Sequence, residues 1–130
     1  LTLFEFILQS IVSLENSKEN INNFHLMFLL ELTHFLGIQP ENNYSETNKI
    51  FDLQAGRFAI GIPGHHNYLN EEQSKELSNL LNTKLEQSHN VAFGLDERRF
   101  FLRSVLNFYR LHLGRPGELK SLKVLTELFT

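Results

Sequence analysis

The feature that most constrains the fold is a dense run of apolar side chains over 24–36. At about 100° per residue, these side chains cover nearly the whole circumference of a helix. Glu31 and His34 interrupt the run, which is also shorter than the roughly 20 apolar residues that cross a bilayer. The pattern therefore predicts a buried helix over 20–36 inside a compact bundle, with Gly37 at its C-terminus.

Two further helices are predicted in the second half of the chain. Asn70 can cap a helix that follows it, and Gln73 can complete a reciprocal capping box. A second segment, over 97–113, is apolar on most faces, and Asp96 is expected to cap it. Such a helix belongs near the centre of a bundle.

The two ends of the chain also have helical periodicity. Apolar residues recur at helical spacing over 1–14, and a short helix is predicted to begin at Glu118 or Ser121. No capping residue precedes the first of these helices, so further sequence is expected upstream. The segment lacks the basic and small-residue features of a signal peptide.

About thirty residues without helical periodicity separate the second and third predicted helices, which is too long for a structureless loop. Two short strands, 50–53 and 57–60, are predicted around a three-residue turn, 54–56, in which Gly56 supplies a positive φ. The side chains expected to hold this hairpin are Phe51, Leu53, Phe58 and Ile60. The sequence thus predicts a mainly α protein: one domain over 1–130, a compact bundle of about five helices with a small β-hairpin between helices 2 and 3.

Positive charge is concentrated near the C-terminus, although the net charge is −3. Residues 94–130 contain 7 of the 12 Lys and Arg residues but only 4 of the 15 Asp and Glu residues. An asymmetry of this kind favours an anionic partner.

On the helix predicted over 97–113, Arg99, Arg103 and Arg110 lie within about 40° of one another, and Leu106 shares their stripe. Guanidinium groups beside apolar surface can bind carboxylate or phosphate through paired hydrogen bonds. An alternative is purely structural, because arginine stems often only cover apolar surface.

Six segments occur along the chain in an order that resembles a known family. They are Asn23-Phe24-His25-Leu26-Met27-Phe28-Leu29-Leu30, Phe35-Leu36-Gly37-Ile38-Gln39-Pro40, Phe51-Asp52-Leu53-Gln54-Ala55-Gly56-Arg57-Phe58, Pro63-x-His65-x-x-Tyr68-Leu69, Phe108-Tyr109-x-Leu111-His112-Leu113 and Leu119-Lys120-Ser121-Leu122-x-Val124-Leu125-x-Glu127-Leu128-Phe129. Together they resemble the C-terminal region of the bacterial recombination-repair protein RecO, in the style of Bacteroidetes sequences.

The resemblance implies a DNA repair and homologous recombination mediator of the RecFOR pathway, cytoplasmic and associated with the nucleoid. RecO proteins join an N-terminal OB-fold, which is absent from this chain, to a helical C-terminal domain. They bind single- and double-stranded DNA, anneal complementary strands, and with RecR help to load RecA onto strands coated by the single-strand-binding protein SSB. Many members carry a four-cysteine zinc module near the position of the predicted hairpin. This chain has no cysteine, so neither a metal nor another cofactor is expected.

The resemblance also implies that the acidic SSB C-terminal tail, which ends in a Phe carboxylate, docks on this domain. Charge and helical period, and not a family motif, select the residues expected to bind it: Arg99, Arg103, Leu106, Arg110, Lys120 and Lys123. A direct DNA contact would use a second, overlapping set: Arg98, Arg99, Arg103 and Arg110. Its affinity would fall steeply with salt.

Two alternatives remain open. Catalysis is not expected, because no nucleophile–base motif or phosphate loop is visible, but His65 and His66, with His25 or His34 and with Asp52, could form a metal site. The second alternative is a purely structural helical domain that packs on the missing OB-fold. The surfaces expected to serve for such packing are the first predicted helix, 1–14, and Phe100-Phe101.

Overall fold

The computed structural model describes residues 23–113 and is mainly helical. In chain order its elements are α1 (Asn23–Phe35), β1 (Ile50–Asp52), β2 (Arg57–Ala59), α2 (Glu71–Leu81), a 3-10 helix (Leu85–Asn90) and α3 (Leu95–His112). The predicted class, helical with a small antiparallel hairpin, is confirmed. The helices predicted over 1–14 and near the C-terminus lie outside the described residues, so the total of about five stays a prediction.

One apolar core joins the three α-helices and the hairpin. The helix α3 contributes six buried residues to it: Phe101, Leu102, Val105, Leu106, Phe108 and Tyr109. Burying a side chain of this size stabilises the fold by about 1.5–3 kcal/mol. The prediction that this helix lies at the centre of the domain is therefore confirmed.

The helix α1 is buried on most of its circumference but not on all of it. Phe24 is 45% exposed and Phe35 is 76% exposed. With the exposed Glu31 and the half-buried Phe28, they form one stripe at helical spacing. The prediction of burial all round is wrong for this stripe, because the described elements that contact α1 are chiefly the 3-10 helix and α3, which cover its other sides.

The start of α2 follows the predicted capping box. The Asn70 side chain accepts a hydrogen bond from the Gln73 amide at 2.8 Å, and the Gln73 side chain accepts one from the Asn70 amide at 3.0 Å. The helix ends at Leu81, and Leu85 starts a 3-10 helix that the periodicity did not predict.

The start of α3 differs from the prediction. Its N-cap is Gly94, in an extended conformation (φ −76°, ψ 179°), and Asp96 lies inside the first turn beside Glu97. The prediction that Asp96 caps this helix is therefore wrong. Glycine is an acceptable N-cap. The carboxylates of Asp96 and Glu97 still interact favourably with the positive N-terminal end of the helix dipole.

The hairpin pairs Phe51 with Phe58 across its two strands. Its turn is one residue longer than predicted and begins at Leu53, because the Asp52 carboxylate accepts hydrogen bonds from the amides of Gln54 and Ala55 at 2.9 and 3.0 Å. These bonds start the turn directly after Asp52 and shorten β1 by one residue.

Three of the four residues predicted to hold the hairpin are buried: Phe51, Leu53 and Phe58. The prediction for Ile60 is wrong, since its side chain is 81% exposed. The strand β2 ends at Ala59, so the alternation that would place Ile60 on the inner face stops before it.

Side-chain amides order the rest of the long connection between α1 and α2. Asn43 accepts a hydrogen bond from the Phe58 amide at 2.8 Å and donates one to the Phe58 carbonyl at 3.0 Å. It thereby occupies the outer edge of β2 as a neighbouring strand would. On the other side, the Leu53 amide donates to the Asn67 carbonyl at 2.8 Å.

We expect Gly56→Ala to lower the free energy of unfolding by about 1–2 kcal/mol. Gly56 has a φ of +75°, and an added Cβ would lie 3.3 Å from the Cε1 atom of His112. Gly61→Ala is the matched control, because Gly61 has no atom within 4 Å of that position and its φ lies outside the left-handed range. Urea denaturation of both variants checks the prediction, and equal stabilities would contradict it.

Candidate partner-binding site

The arginines predicted to form one stripe lie on α3 and are solvent-exposed: Arg99, Arg103 and Arg110. Leu106, predicted to lie among them, is only 2% exposed and belongs to the core. The helical angle was right, but neighbouring elements cover the leucine while the longer arginine side chains reach solvent. The structure therefore leaves Leu106 out of the exposed surface.

Arg99 and Arg103 are one turn apart, and within residues 23–113 no carboxylate lies within ion-pairing distance of either side chain. Arg110 is held differently. Its Nε and Nη2 atoms donate to the Asn107 side-chain oxygen at 3.1 and 2.6 Å. Arg99 and Arg103 thus form an exposed pair of arginines, and Arg110 lies about two turns further along the helix.

An exposed leucine adjoins this pair, and sequence analysis missed it. Leu95 is 42% exposed, and it precedes Arg99 by one turn, as Arg99 precedes Arg103. The spacing i, i+4, i+8 places these three side chains along one side of the helix. That spacing was visible in the sequence, but the exposure of Leu95 was not. We call Leu95, Arg99 and Arg103 the arginine surface.

The structure describes only some of the other residues predicted to contact a partner or DNA. Arg98 is half-buried, and its Nε atom lies 3.4 Å from the Gly94 carbonyl oxygen of its own helix. Lys120 and Lys123 lie outside the described residues. The assignment of these residues to a partner or to DNA stays a prediction.

Buried polar contacts fix α3 against the rest of the fold. The Tyr109 hydroxyl donates to the Leu29 carbonyl of α1, and burial raises the pKa of this phenol well above its usual range. The His112 Nε2 atom is 2.7 Å from the Leu53 carbonyl oxygen, and its ring stacks on Phe108 at 4.1 Å. The hairpin and α1 therefore hold the helix that carries the arginine surface.

The histidines predicted as possible metal ligands do not form a cluster with one another. His65 pairs with Asp52 at 3.1 Å through Nε2, and its Nδ1 atom accepts the Asn67 amide at 3.0 Å. His25 is buried in α1, where desolvation lowers its pKa and favours the neutral ring. Over the part of the chain that the structure describes, no three His, Asp or Glu side chains group closely enough to hold a metal ion.

The phenylalanines expected to form a docking face are also placed differently. Phe101 is 3% exposed, and Phe100 is half-buried. Among the helices of residues 23–113, the exposed large apolar side chains are instead Phe24 and Phe35 of α1 and Leu95 of α3. None of the helices within residues 23–113 is long and apolar enough to cross a membrane.

Together these features define a small, mainly helical domain with a hairpin insertion and an exposed arginine surface. Comparison with protein families identifies its kind. The chain belongs to the family described as Recombination protein O C terminal, whose model matches residues 2–123.

Proteins named DNA repair protein RecO are similar to it along almost its whole length. Those of Azobacteroides pseudotrichonymphae and Bacteroides fragilis are 36% and 34% identical over 127 and 128 residues, which is 98% of this chain and 53% of each relative. The Flavobacterium johnsoniae protein is 33% identical over 128 residues, 52% of its length. The chain therefore spans about half the length of these relatives. No solved structure matches it significantly.

Proposed function

We propose that this chain is the helical C-terminal part of a DNA repair and recombination mediator, and that it acts by binding partners and not by catalysis. The family match and the relatives named DNA repair protein RecO support this role. In that role the domain works with RecR and assists an OB-fold in binding single- and double-stranded DNA and in annealing strands.

The arginine surface is proposed to receive the acidic C-terminal tail of SSB. The observation that carries this assignment is the exposed pair Arg99 and Arg103, which has no carboxylate partner within residues 23–113. Each guanidinium can bind a carboxylate through two parallel hydrogen bonds. Leu95, 42% exposed one turn away, offers apolar contact to the terminal Phe ring of the tail. Arg110, Lys120 and Lys123 would extend the positive potential along the rest of the tail.

Arg103→Glu is expected to weaken binding of a fluorescein-labelled acidic peptide ending in Asp-Ile-Pro-Phe at least about tenfold, because it places like charges opposite each other. Fluorescence anisotropy at fixed salt measures the affinity. Lys84→Glu makes the same charge change at an exposed position off α3 and should alter the affinity less than about twofold at physiological ionic strength.

A peptide that lacks the final Phe separates tail recognition from general charge attraction. Its binding should also be lost, because its apolar anchor is missing. Equal losses for Arg103→Glu and Lys84→Glu, or full binding without the Phe, would overturn the assignment. A labelled single strand of DNA that binds with a steep salt dependence, while the peptide does not bind, would favour direct phosphate contact through Arg98, Arg99, Arg103 and Arg110.

A further inference from the structure

A groove separate from the arginine surface lies between α2 and the segment that leads into α3. Its volume is about 320 Å³. The residues that line it include Glu76, Asn79, Leu80, Ala92, Phe93 and Glu97. It therefore combines two carboxylates, several small polar groups and an apolar floor.

Both charged side chains that line this groove are negative. Glu76 and Glu97 are its charged side chains, and within residues 23–113 neither forms an ion pair with a basic group. Two unneutralised carboxylates across a concave surface produce a negative potential that attracts cations.

The floor of the groove is firmly packed. Leu80 is 3% exposed, and Val91 and Phe93 are half-buried against the core. The Phe93 ring stacks on Phe101 with centroids 5.1 Å apart and planes within 5° of parallel. Such a floor can accept an aliphatic side chain without rearrangement.

One wall of the groove is the non-helical segment 91–94, in which two main-chain amides are free. Val91 (φ −78°, ψ 117°) and Gly94 (φ −76°, ψ 179°) both have β-type dihedral angles. In the described part of the chain, the amides of Ala92 and Phe93 donate no hydrogen bond. Extended segments with unpaired main-chain groups recognise other extended peptides by adding a strand.

We propose that this groove binds an extended segment of a partner protein in which a Lys or Arg adjoins an aliphatic side chain. The partner's main chain accepts a hydrogen bond from the free amide of Ala92 or Phe93, its aliphatic group packs on Leu80 and Phe93, and its cation faces Glu76 and Glu97. Aliphatic stems of Lys and Arg add to the same apolar contact. Charge complementarity selects a basic segment and disfavours an acidic one.

The groove and the arginine surface can be occupied together. Glu97 and Arg99 are two positions apart on α3, which places them about 160° apart around the helix. The domain would then hold a basic segment on one side of α3 and an acidic one on the other.

The test is anisotropy with the full chain and a labelled, amidated hexapeptide, Leu-Lys-Val-Lys-Leu-Lys. Asn79→Arg places a guanidinium in the groove and should weaken binding at least about tenfold. Gln87→Arg adds the same charge at an exposed position of the 3-10 helix outside the groove and should change it less than twofold. Circular dichroism of both variants checks whether they keep the fold.

Replacing both carboxylates, with Glu76→Gln and Glu97→Gln, should weaken binding comparably without adding bulk. Equal binding of a peptide with Glu in place of Lys, or equal losses for Asn79→Arg and Gln87→Arg, would overturn the proposal. Self-association of the chain that Asn79→Arg abolishes, with no binding of the hexapeptide, would assign the groove to a second copy and overturn it as well.

Discussion

Phe51→Ala is expected to lower the free energy of unfolding by about 3–5 kcal/mol, the range for removing a fully buried aromatic ring. Phe51 is 1% exposed. Its ring centroid lies 4.9 Å from that of Phe58 and 6.3 Å from that of Phe108. The ring therefore joins the two strands of the hairpin to α3, and its loss leaves a cavity that neither strand can fill.

Chemical denaturation monitored by circular dichroism measures this effect, with Phe35→Ala as the matched control. Phe35 is 76% exposed, so the same truncation there should change stability by less than about 0.5 kcal/mol. Because a domain of this size is stabilised by only about 5–15 kcal/mol, the Phe51→Leu variant, expected to cost less than about 1.5 kcal/mol, provides a folded intermediate case. A Phe51→Ala loss no larger than that of Phe35→Ala would contradict the described packing.

Ser74→Ala is expected to cost about 2–3 kcal/mol, a large effect for the removal of one oxygen atom. Ser74 is fully buried in α2. Its hydroxyl accepts the Phe51 amide at 2.8 Å and donates to the Leu69 carbonyl at 3.1 Å. Alanine would leave two buried backbone groups without these partners, and burying an unpaired polar group is costly.

Ser104→Ala is the control for this prediction. The Ser104 hydroxyl donates at 3.0 Å to the Phe100 carbonyl within its own helix, and alanine is the better helix former. We therefore expect a change within about 0.5 kcal/mol of zero. Equal effects of the two substitutions, measured by urea denaturation, would show that the hydroxyl of Ser74 does not link α2 to β1.

Local patterns predicted the elements that depend on neighbouring residues in the chain. The capping box of Asn70 and Gln73 formed because its partners are three residues apart. Gly56 takes a positive φ for an equally local reason. By contrast, Gly94 and not Asp96 caps α3, and the residues just before it, Val91 and Phe93, pack against the core.

For the arginine surface, too, the sequence predicted one part and the tertiary structure decided the other. Helical period placed Arg99 and Arg103 correctly on one side of α3. The same period also placed Leu106 there, yet that side chain is in the core, while Leu95 is the exposed leucine. The angle around a helix axis predicts the direction of a side chain. The elements that pack against each turn determine whether that side chain is exposed to solvent.

By itself, the sequence determined the helical class, the hairpin with Gly56 in its turn, the Asn70 capping box and the concentration of positive charge near the C-terminus. Each of these depends on residues a few positions apart. Only the tertiary structure decided that Asn43 closes the edge of β2, that Ser74 joins α2 to β1, and that an acidic groove lies behind the arginine surface. The first two of these contacts join residues 15 and 23 positions apart. No periodicity of the sequence indicates which distant groups the shared core brings together.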